Sequence, residues 1–319
     1  MIYRLAAIAT TATLLTAPVQ AQELSIVTGG TGGVYFPIGG GLAEIINRHI
    51  EGATASAEVT GASVENIALI SRGDSDMGLT QGDTVYQAFH GEGAFEGRQI
   101  PEMRILAAIY PSAMQLVTLA DSGIESINDL AGERVAVGPP GSGTELLTRV
   151  ILDANGIAFD DFSPQRLNLN EAGDALRDGD IVAAFMLAGP PTPAIMNLAF
   201  TRSIRMIPFS EEQIEAAVSI EPTLAPYTLR AGLYEGVDEG VLTISQPNVL
   251  ITHADMDEDM AFNIVKALFE NLDELIAVHP AAIDTTIEFT MDAAPIPFHA
   301  GAARYFEGLG IELRHHQRP

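Results

Sequence analysis

The chain has 319 residues, with 16 Lys and Arg against 42 Asp and Glu, and a net charge of −26. A surface this negative repels nucleic acid and anionic membranes, so neither is an expected partner. The absence of cysteine excludes disulfide bonds, thiolate metal sites and a cysteine nucleophile.

Residues 1–21 have the three parts of a secretory signal peptide. Arg4 precedes an apolar stretch over residues 5–15, and residues 19–21 (VQA) have the pattern of a cleavage site. The apolar stretch is shorter than the roughly 20 residues that a membrane-spanning helix needs. We therefore expect cleavage near Ala21 and export. Loss of Arg4 leaves 15 basic and 42 acidic residues, a net charge of −27.

The rest of the chain alternates strands, turns of small residues and helices. Its roughly 300 residues are enough for two lobes with separate cores. The alternation predicts an α/β fold with largely parallel strands, in which loops at the carboxyl ends of the strands line a ligand crevice. The predicted strands are 24–28, 57–60, 77–80, 134–137 and 181–187, and the predicted helices are 37–49, 64–71, 84–89, 144–154 and one from Ala194.

Two similar apolar segments, 115–121 and 248–255, are predicted to pair as strands where the chain leaves one lobe and returns to it. Residues 256–279 are predicted to be helical, with Asp255 and Glu258 as a capping box. We therefore expect the first lobe to comprise residues 22–119 and 248–319, and the second lobe to comprise residues 120–247.

Two glycine-rich turns each follow an apolar run and open a predicted helix. Residues 28–35 read TGGTGGVY, and residues 138–144 read GPPGSGT. The first turn of a helix has N–H groups without partners and a partial positive charge, and glycine allows a ligand to approach them closely. The turns therefore predict two facing sites for a small anionic ligand. Neither turn has the lysine or the spacing of a nucleotide-binding loop, so we expect no nucleotide cofactor.

Several polar residues near these turns are candidate ligand contacts. Ser63 is placed either to cap the short helix that follows it or to contact the ligand. Asn66 and Gln81 each offer hydrogen-bond donors and acceptors. Ser142 is not expected to be a nucleophile, because proline at 140 breaks the Gly-x-Ser-x-Gly pattern. The spacing of the histidines predicts no metal site.

Six segments in chain order together resemble the TAXI family, the extracytoplasmic solute receptors of tripartite ATP-independent periplasmic (TRAP) transporters. They are 28–40 (TGGTGGVYFPIGG), 60–66 (TGASVEN), 106–111 (LAAIYP), 137–144 (VGPPGSGT), 189–194 (GPPTPA) and 296–302 (IPFHAGA). The resemblance implies a two-lobed type II periplasmic-binding-protein fold with a hinge of two crossing strands. Two positions depart from the family pattern, Gly189 and Ser112, and either could change which group of the solute is accepted.

The resemblance also implies a function. The protein would be a periplasmic receptor that closes on a small anionic solute, such as glutamate, 2-oxoglutarate or a related dicarboxylate or amino acid, and delivers it to a membrane permease. No catalytic residue, metal or cofactor is expected. The implied ligand-binding residues are Gly30, Thr31, Gly32, Gly33, Tyr35, Ser63, Asn66, Gln81 and Tyr110 in the first lobe, and Gly141, Ser142, Gly143, Thr144 and Pro191 in the second.

Two alternatives remain at this point. One is an enzyme on the same fold that uses Ser142 or a carboxylate, and turnover of a bound solute would distinguish it. The other is the ligand-sensing partner of a membrane signalling receptor.

Overall fold

The computed structural model describes residues 22–319, so the predicted signal peptide lies outside the described residues. Strands and helices alternate as predicted. The strands are β1 (Gln22–Val27), β2 (Ala53–Glu58), β3 (Met77–Gln81), β4 (Met103–Leu119), β5 (Arg134–Ala136), β6 (Ser163–Gln165), β7 (Ala183–Ala188), β8 (Ile204–Ile207), β9 (Ala225–Leu229) and β10 (Val241–His253). The α-helices are α1 (Tyr35–His49), α2 (Ser63–Ser71), α3 (Gly82–His90), α4 (Gly143–Ala154), α5 (Leu169–Asp178), α6 (Pro193–Thr201), α7 (Glu211–Ile220), α8 (Glu258–Glu270), α9 (Leu272–Val278), α10 (Ile287–Ala293) and α11 (Ala300–Gly308).

These ten strands form one sheet in the order β2-β1-β3-β10-β4-β7-β5-β6, with β8 beside β4 and β9 beside β10. Strand β1 is parallel to β2 and β3, and β5 is parallel to β6 and β7. Strands β4 and β10 are antiparallel to their neighbours and separate these two parallel groups. The chain is thus an α/β protein with two parallel units joined through two long strands.

Buried apolar side chains divide at the same place. One large core contains side chains from residues 24–110 and 249–313, and also that of Ala188. We call residues 24–110 and 249–313 the first lobe. Two smaller cores lie within residues 113–244, the second lobe. The division falls between Tyr110 and Ala113 on β4 and between Ile244 and Val249 on β10. It supports the two-lobed interpretation, while the predicted boundaries at 119/120 and 247/248 stay a prediction.

Strands β4 and β10 cross between the lobes, but their register differs from the predicted pairing. Residues 103–113 of β4 pair with residues 245–253 of β10, and Pro111 lies opposite Pro247. The predicted segment 115–121 supplies the end of β4, which pairs with β7 and β8 instead. Strand β4 is 17 residues long and mostly buried. Its first half has few polar residues, so the sequence does not mark where this long strand begins.

Two local predictions need correction. Strand β2 begins at Ala53, earlier than the predicted start at residue 57. The predicted helix over 256–279 is two helices that meet at Asn271, and its N-cap is Asp257, whose carboxylate accepts the Met260 N–H at 2.9 Å. The Asp255 N–H instead donates to His253 Nδ1 at 3.1 Å.

Within residues 22–319, no helix combines the length and the apolar character that crossing a membrane requires.

Candidate functional site

A cavity of about 290 Å³ lies between the lobes, at the carboxyl ends of parallel strands. Nine of the fourteen predicted ligand residues line it, so the structure brings most of the predicted site together. These nine are Gly30, Gly33, Tyr35, Ser63, Gln81, Tyr110, Ser142, Gly143 and Thr144. The walls between them include the apolar side chains of Val34, Leu169 and Leu187.

Three helices begin at this cavity. In α1 the first helical hydrogen bond runs from the Ile38 N–H to the Val34 carbonyl at 3.1 Å, and in α2 it runs from the Asn66 N–H to the Ala62 carbonyl at 3.0 Å. In α4 the Leu146 N–H donates to the Ser142 carbonyl at 3.1 Å. The N–H groups before these bonds have no helical partner and carry the positive end of the helix dipole. The cavity therefore offers several backbone donors to an anion.

Ser142 caps α4. Its Oγ accepts the Glu145 N–H at 3.2 Å and donates to the Pro139 carbonyl at 2.8 Å. Both hydrogen bonds are local, and they fix the start of the helix at the cavity wall.

Ser63 does not cap α2, so that interpretation was wrong. The N-cap position belongs to Ala62, while the Ser63 Oγ accepts the Gln81 N–H at 3.2 Å. Ala62 has φ +73°, the one positive value outside glycine among residues 22–319. A backbone conformation this rare for alanine is characteristic of functional sites. It directs the turn so that Ser63 lines the cavity.

Two tyrosines lie against the cavity with their hydroxyl groups in different surroundings. The Tyr35 hydroxyl donates to Asn248 Oδ1 at 2.6 Å, and Asn248 Nδ2 donates to the Tyr110 carbonyl at 3.0 Å and to Ser112 Oγ at 2.8 Å. The Tyr110 hydroxyl is buried and makes no hydrogen bond within residues 22–319. Burial raises the pKa of both tyrosines well above its ordinary value, so both remain neutral donors.

Asn66 does not line the cavity. Its Nδ2 donates to the Thr28 carbonyl at 2.6 Å and to the Leu79 carbonyl at 2.7 Å, while its Oδ1 accepts the Thr60 hydroxyl at 2.6 Å. The side chain is buried and ties β1, β3 and the turn before α2 together. Asn66 therefore holds these segments in place behind the cavity wall.

The other four predicted residues, Thr31, Gly32, Gly141 and Pro191, connect the two lobes around the cavity. Asn170 Nδ2 donates to Thr31 Oγ1 at 3.2 Å, and the Ala194 N–H donates to the Gly32 carbonyl at 3.1 Å. A donor of the first lobe also reaches the second lobe, since the Val64 N–H donates to the Gly141 carbonyl at 3.4 Å. His279 Nε2 lies 3.0 Å from the Pro191 carbonyl. The cleft is thus closed in this structure.

One loop that sequence reasoning missed also lines the cavity. It follows β6 and contributes Arg166 and Asn168, and Glu171 comes from the first turn of α5, which the loop leads into. Strand β6 has only three residues, one of them Pro164, so no apolar run marked it as a strand whose carboxyl end would reach the crevice. A three-residue strand with a proline has no readable sequence signal.

Asp83 is a second residue that sequence reasoning missed, and it lies behind the cavity. Its side chain is buried, and the Gln246 side-chain amide on β10 lies 3.3 Å from both carboxylate oxygens. Burial, with a contribution from the Glu221 carboxylate, raises the pKa of Asp83 to about 7. A carboxyl group near the hinge strand thus changes protonation close to neutral pH.

A family model described as the NMT1-like family matches residues 26–310. Solved structures with a similar fold include one from Bordetella bronchiseptica RB50, with 18% identity and a TM-score of 0.55 over 94% of this chain and 92% of that chain. A Xanthomonas citri protein bound to ATP has 13% identity and a TM-score of 0.52 over 90% and 98% of the two chains. A Listeria monocytogenes protein described as a candidate L-cystine ABC transporter has 14% identity and a TM-score of 0.51 over 85% and 99%. These likenesses confirm the predicted two-lobed fold of periplasmic binding proteins.

Proposed function

This chain belongs to the NMT1-like family, and from that premise we propose that it is a solute-binding receptor that closes its two lobes around a small anionic solute. The observation that carries the proposal is the convergence of the N-termini of α1, α2 and α4 on one cavity between the lobes. A carboxylate held there would receive several backbone hydrogen bonds, which strengthen when closure removes water.

The partner in this proposal is a membrane permease. The TRAP type of permease, and the TAXI family with it, rests on the resemblance of the six sequence segments; the Listeria neighbour is described as part of an ABC transporter. In either system the receptor is exported, with cleavage near Ala21, and works in the periplasm. Closure of the lobes is then the state that the permease recognises.

The solutes that we propose are glutamate, 2-oxoglutarate and related dicarboxylates or amino acids. They fit a cavity of this volume that has backbone donors and the polar residues Ser63 and Gln81 among apolar walls. The enzyme alternative is not favoured, because the Ser142 hydroxyl is held by two local backbone groups.

The test is the thermal unfolding midpoint of the mature protein with a panel of dicarboxylates, monocarboxylates, amino acids and neutral sugars. A solute that binds only the folded state stabilises it by about 2.7 kcal/mol at one hundred times its Kd. We expect an upward shift with carboxylates and recovery of the bound solute unchanged by mass spectrometry. A shift with neutral solutes alone would contradict the anionic site, and conversion of the solute would contradict the receptor.

A further inference from the structure

We propose that Arg166, positioned by Glu145, anchors a second anionic group of the solute, so that the site selects dianions over monoanions of the same length. This inference rests on the proposed function and names its substrate class. Arg166 is the one Lys, Arg or His side chain among the described residues that line the cavity. It enters from the loop after β6, apart from the three helix N-termini that would receive the first anionic group.

Arg166 is held in place at one edge of its guanidinium group. Its Nε donates to Glu145 Oε1 at 3.0 Å. Within residues 22–319 its terminal nitrogens make no hydrogen bond, and the side chain is 44% exposed. A guanidinium fixed through Nε keeps its terminal N–H groups available for a carboxylate.

Glu145 is itself firmly placed. Its side chain is 9% exposed, and its Oε2 accepts the Gly141 N–H at 2.9 Å. Burial opposes ionisation of Glu145, but hydrogen bonds from Gly141 and Arg166 outweigh that effect and hold its pKa below the ordinary value. The carboxylate therefore remains charged and orients Arg166.

The cluster around Glu145 keeps a positive charge. Glu145 Oε1 also contacts Arg149 Nη2 at 3.3 Å, so one carboxylate is shared by two guanidinium groups. Arg149 lies over the Phe159 ring, 3.8 Å from its centroid, and does not line the cavity. One carboxylate between two cations leaves a net charge of +1, which is available to the solute through Arg166.

Glu171 is the opposing charge at this end of the cavity. Its carboxylate accepts the Asn168 N–H at 2.9 Å, and the residue is exposed, so solvent screens its charge. Arg166 is also exposed, with 44% of its side chain accessible, but Glu145 orients its guanidinium group, while the Glu171 carboxylate already accepts the Asn168 N–H. Arg166 is therefore the group at this end that an anionic part of the solute would contact.

The experiment measures affinity by isothermal titration for two pairs of solutes: glutarate and pentanoate, and 2-oxoglutarate and 2-oxopentanoate. The variants are Arg166→Gln, Glu145→Gln and, as the matched control, Arg149→Gln, which removes the same charge from the same partner outside the cavity. We expect wild type to prefer the dianion of at least one pair by tenfold or more. Arg166→Gln should reduce that preference to less than threefold and leave monoanion affinity within twofold.

The positioning role of Glu145 has its own readout. Glu145→Gln should weaken binding of the dianion and leave that of the monoanion unchanged, and Arg166→Lys should restore part of the preference. Arg149→Gln should leave both affinities within twofold. A wild-type protein without preference for dianions, or an Arg166→Gln protein that keeps the preference, would overturn the inference. Failure of wild type to bind any anion would instead overturn the proposed function.

Discussion

Gly143 in the second lobe lies directly against the Gln81 side chain of the first lobe, with no room for a β-carbon between them. A β-carbon at residue 143 would overlap Gln81 Cγ and lie 3.1 Å from Ser63 Oγ. The lobes can therefore close to this distance because residue 143 has only a hydrogen in that place.

Replacing Gly143 with alanine should hinder closure. The added methyl group raises the energy of the closed state, and the apparent affinity falls with the population of the closed state. We expect at least a tenfold loss of solute affinity by isothermal titration, without a lower thermal midpoint of the protein free of solute. Gly40→Ala is the matched control, because a β-carbon there meets nothing within 4 Å. It should add roughly 0.5–1 kcal/mol of stability and leave affinity unchanged. Unchanged affinity in Gly143→Ala would contradict the closed arrangement.

Ser142→Ala should separate helix capping from solute binding. Loss of the cap should lower the free energy of unfolding by about 1 kcal/mol, as judged by urea denaturation, and should also weaken binding of anions. Ser210→Ala is the comparison, since Ser210 caps α7 through the Gln213 N–H at 3.2 Å and does not line the cavity. It should destabilise by a similar amount and leave affinity unchanged. An equal effect of both variants on affinity would argue against a role of the α4 N-terminus in binding.

Tyr110→Phe should weaken solute binding without destabilising the protein. The Tyr110 hydroxyl has no hydrogen-bond partner within residues 22–319, so its removal leaves no protein group unpaired. We expect about a fivefold to tenfold loss of affinity, equivalent to one hydrogen bond. The contrasting variant is Tyr234→Phe, since the Tyr234 hydroxyl accepts the Thr192 N–H at 2.8 Å and donates to Gln115. That variant should lose about 1–3 kcal/mol of stability. A destabilised Tyr110→Phe protein would show that its hydroxyl has a structural partner.

Asp83 should make stability depend on pH in the window between its ordinary pKa of 3.8 and its raised pKa of about 7. Within this window the folded state retains a proton that the unfolded state has lost, so Asp83 lowers the free energy of unfolding as the pH rises. The effect is absent below pH 3.8 and complete above pH 7, and it reaches at most about 4 kcal/mol.

Asp83→Asn removes this titration and keeps the acceptor that the Thr84 N–H uses. We expect the variant to gain stability over wild type at pH 8, and to gain less at pH 4.5, in urea denaturation. The same difference between the two proteins at both pH values would show that Asp83 ionises freely in the folded state.

The parts of the site that could be predicted are those with a local signal. A glycine-rich turn between an apolar run and a helical pattern gave the N-termini of α1 and α4, because strand, turn and helix follow one another in the sequence. The alternation of elements likewise predicted the α/β class. Such signals depend on near neighbours, which the sequence displays directly.

The parts that were missed depend on distant contacts. Arg166 reaches the cavity because a three-residue strand pairs with β5, and Asp83 is buried because β10 returns beside β3. Ser63 does not cap α2 because the N-cap position belongs to Ala62, whose φ is positive. For Arg166 and Asp83 the environment is set by residues far along the chain, and no local pattern carries it.

The pairing of Pro111 with Pro247 has a mechanical consequence for the protein. Proline has no backbone N–H, so neither strand supplies a ladder donor at that pair. The two long strands therefore pass between the lobes at a pair where neither residue donates a ladder hydrogen bond, so bending there has no proline N–H bond to break. This property belongs to the backbone and is the same whatever solute fills the cleft.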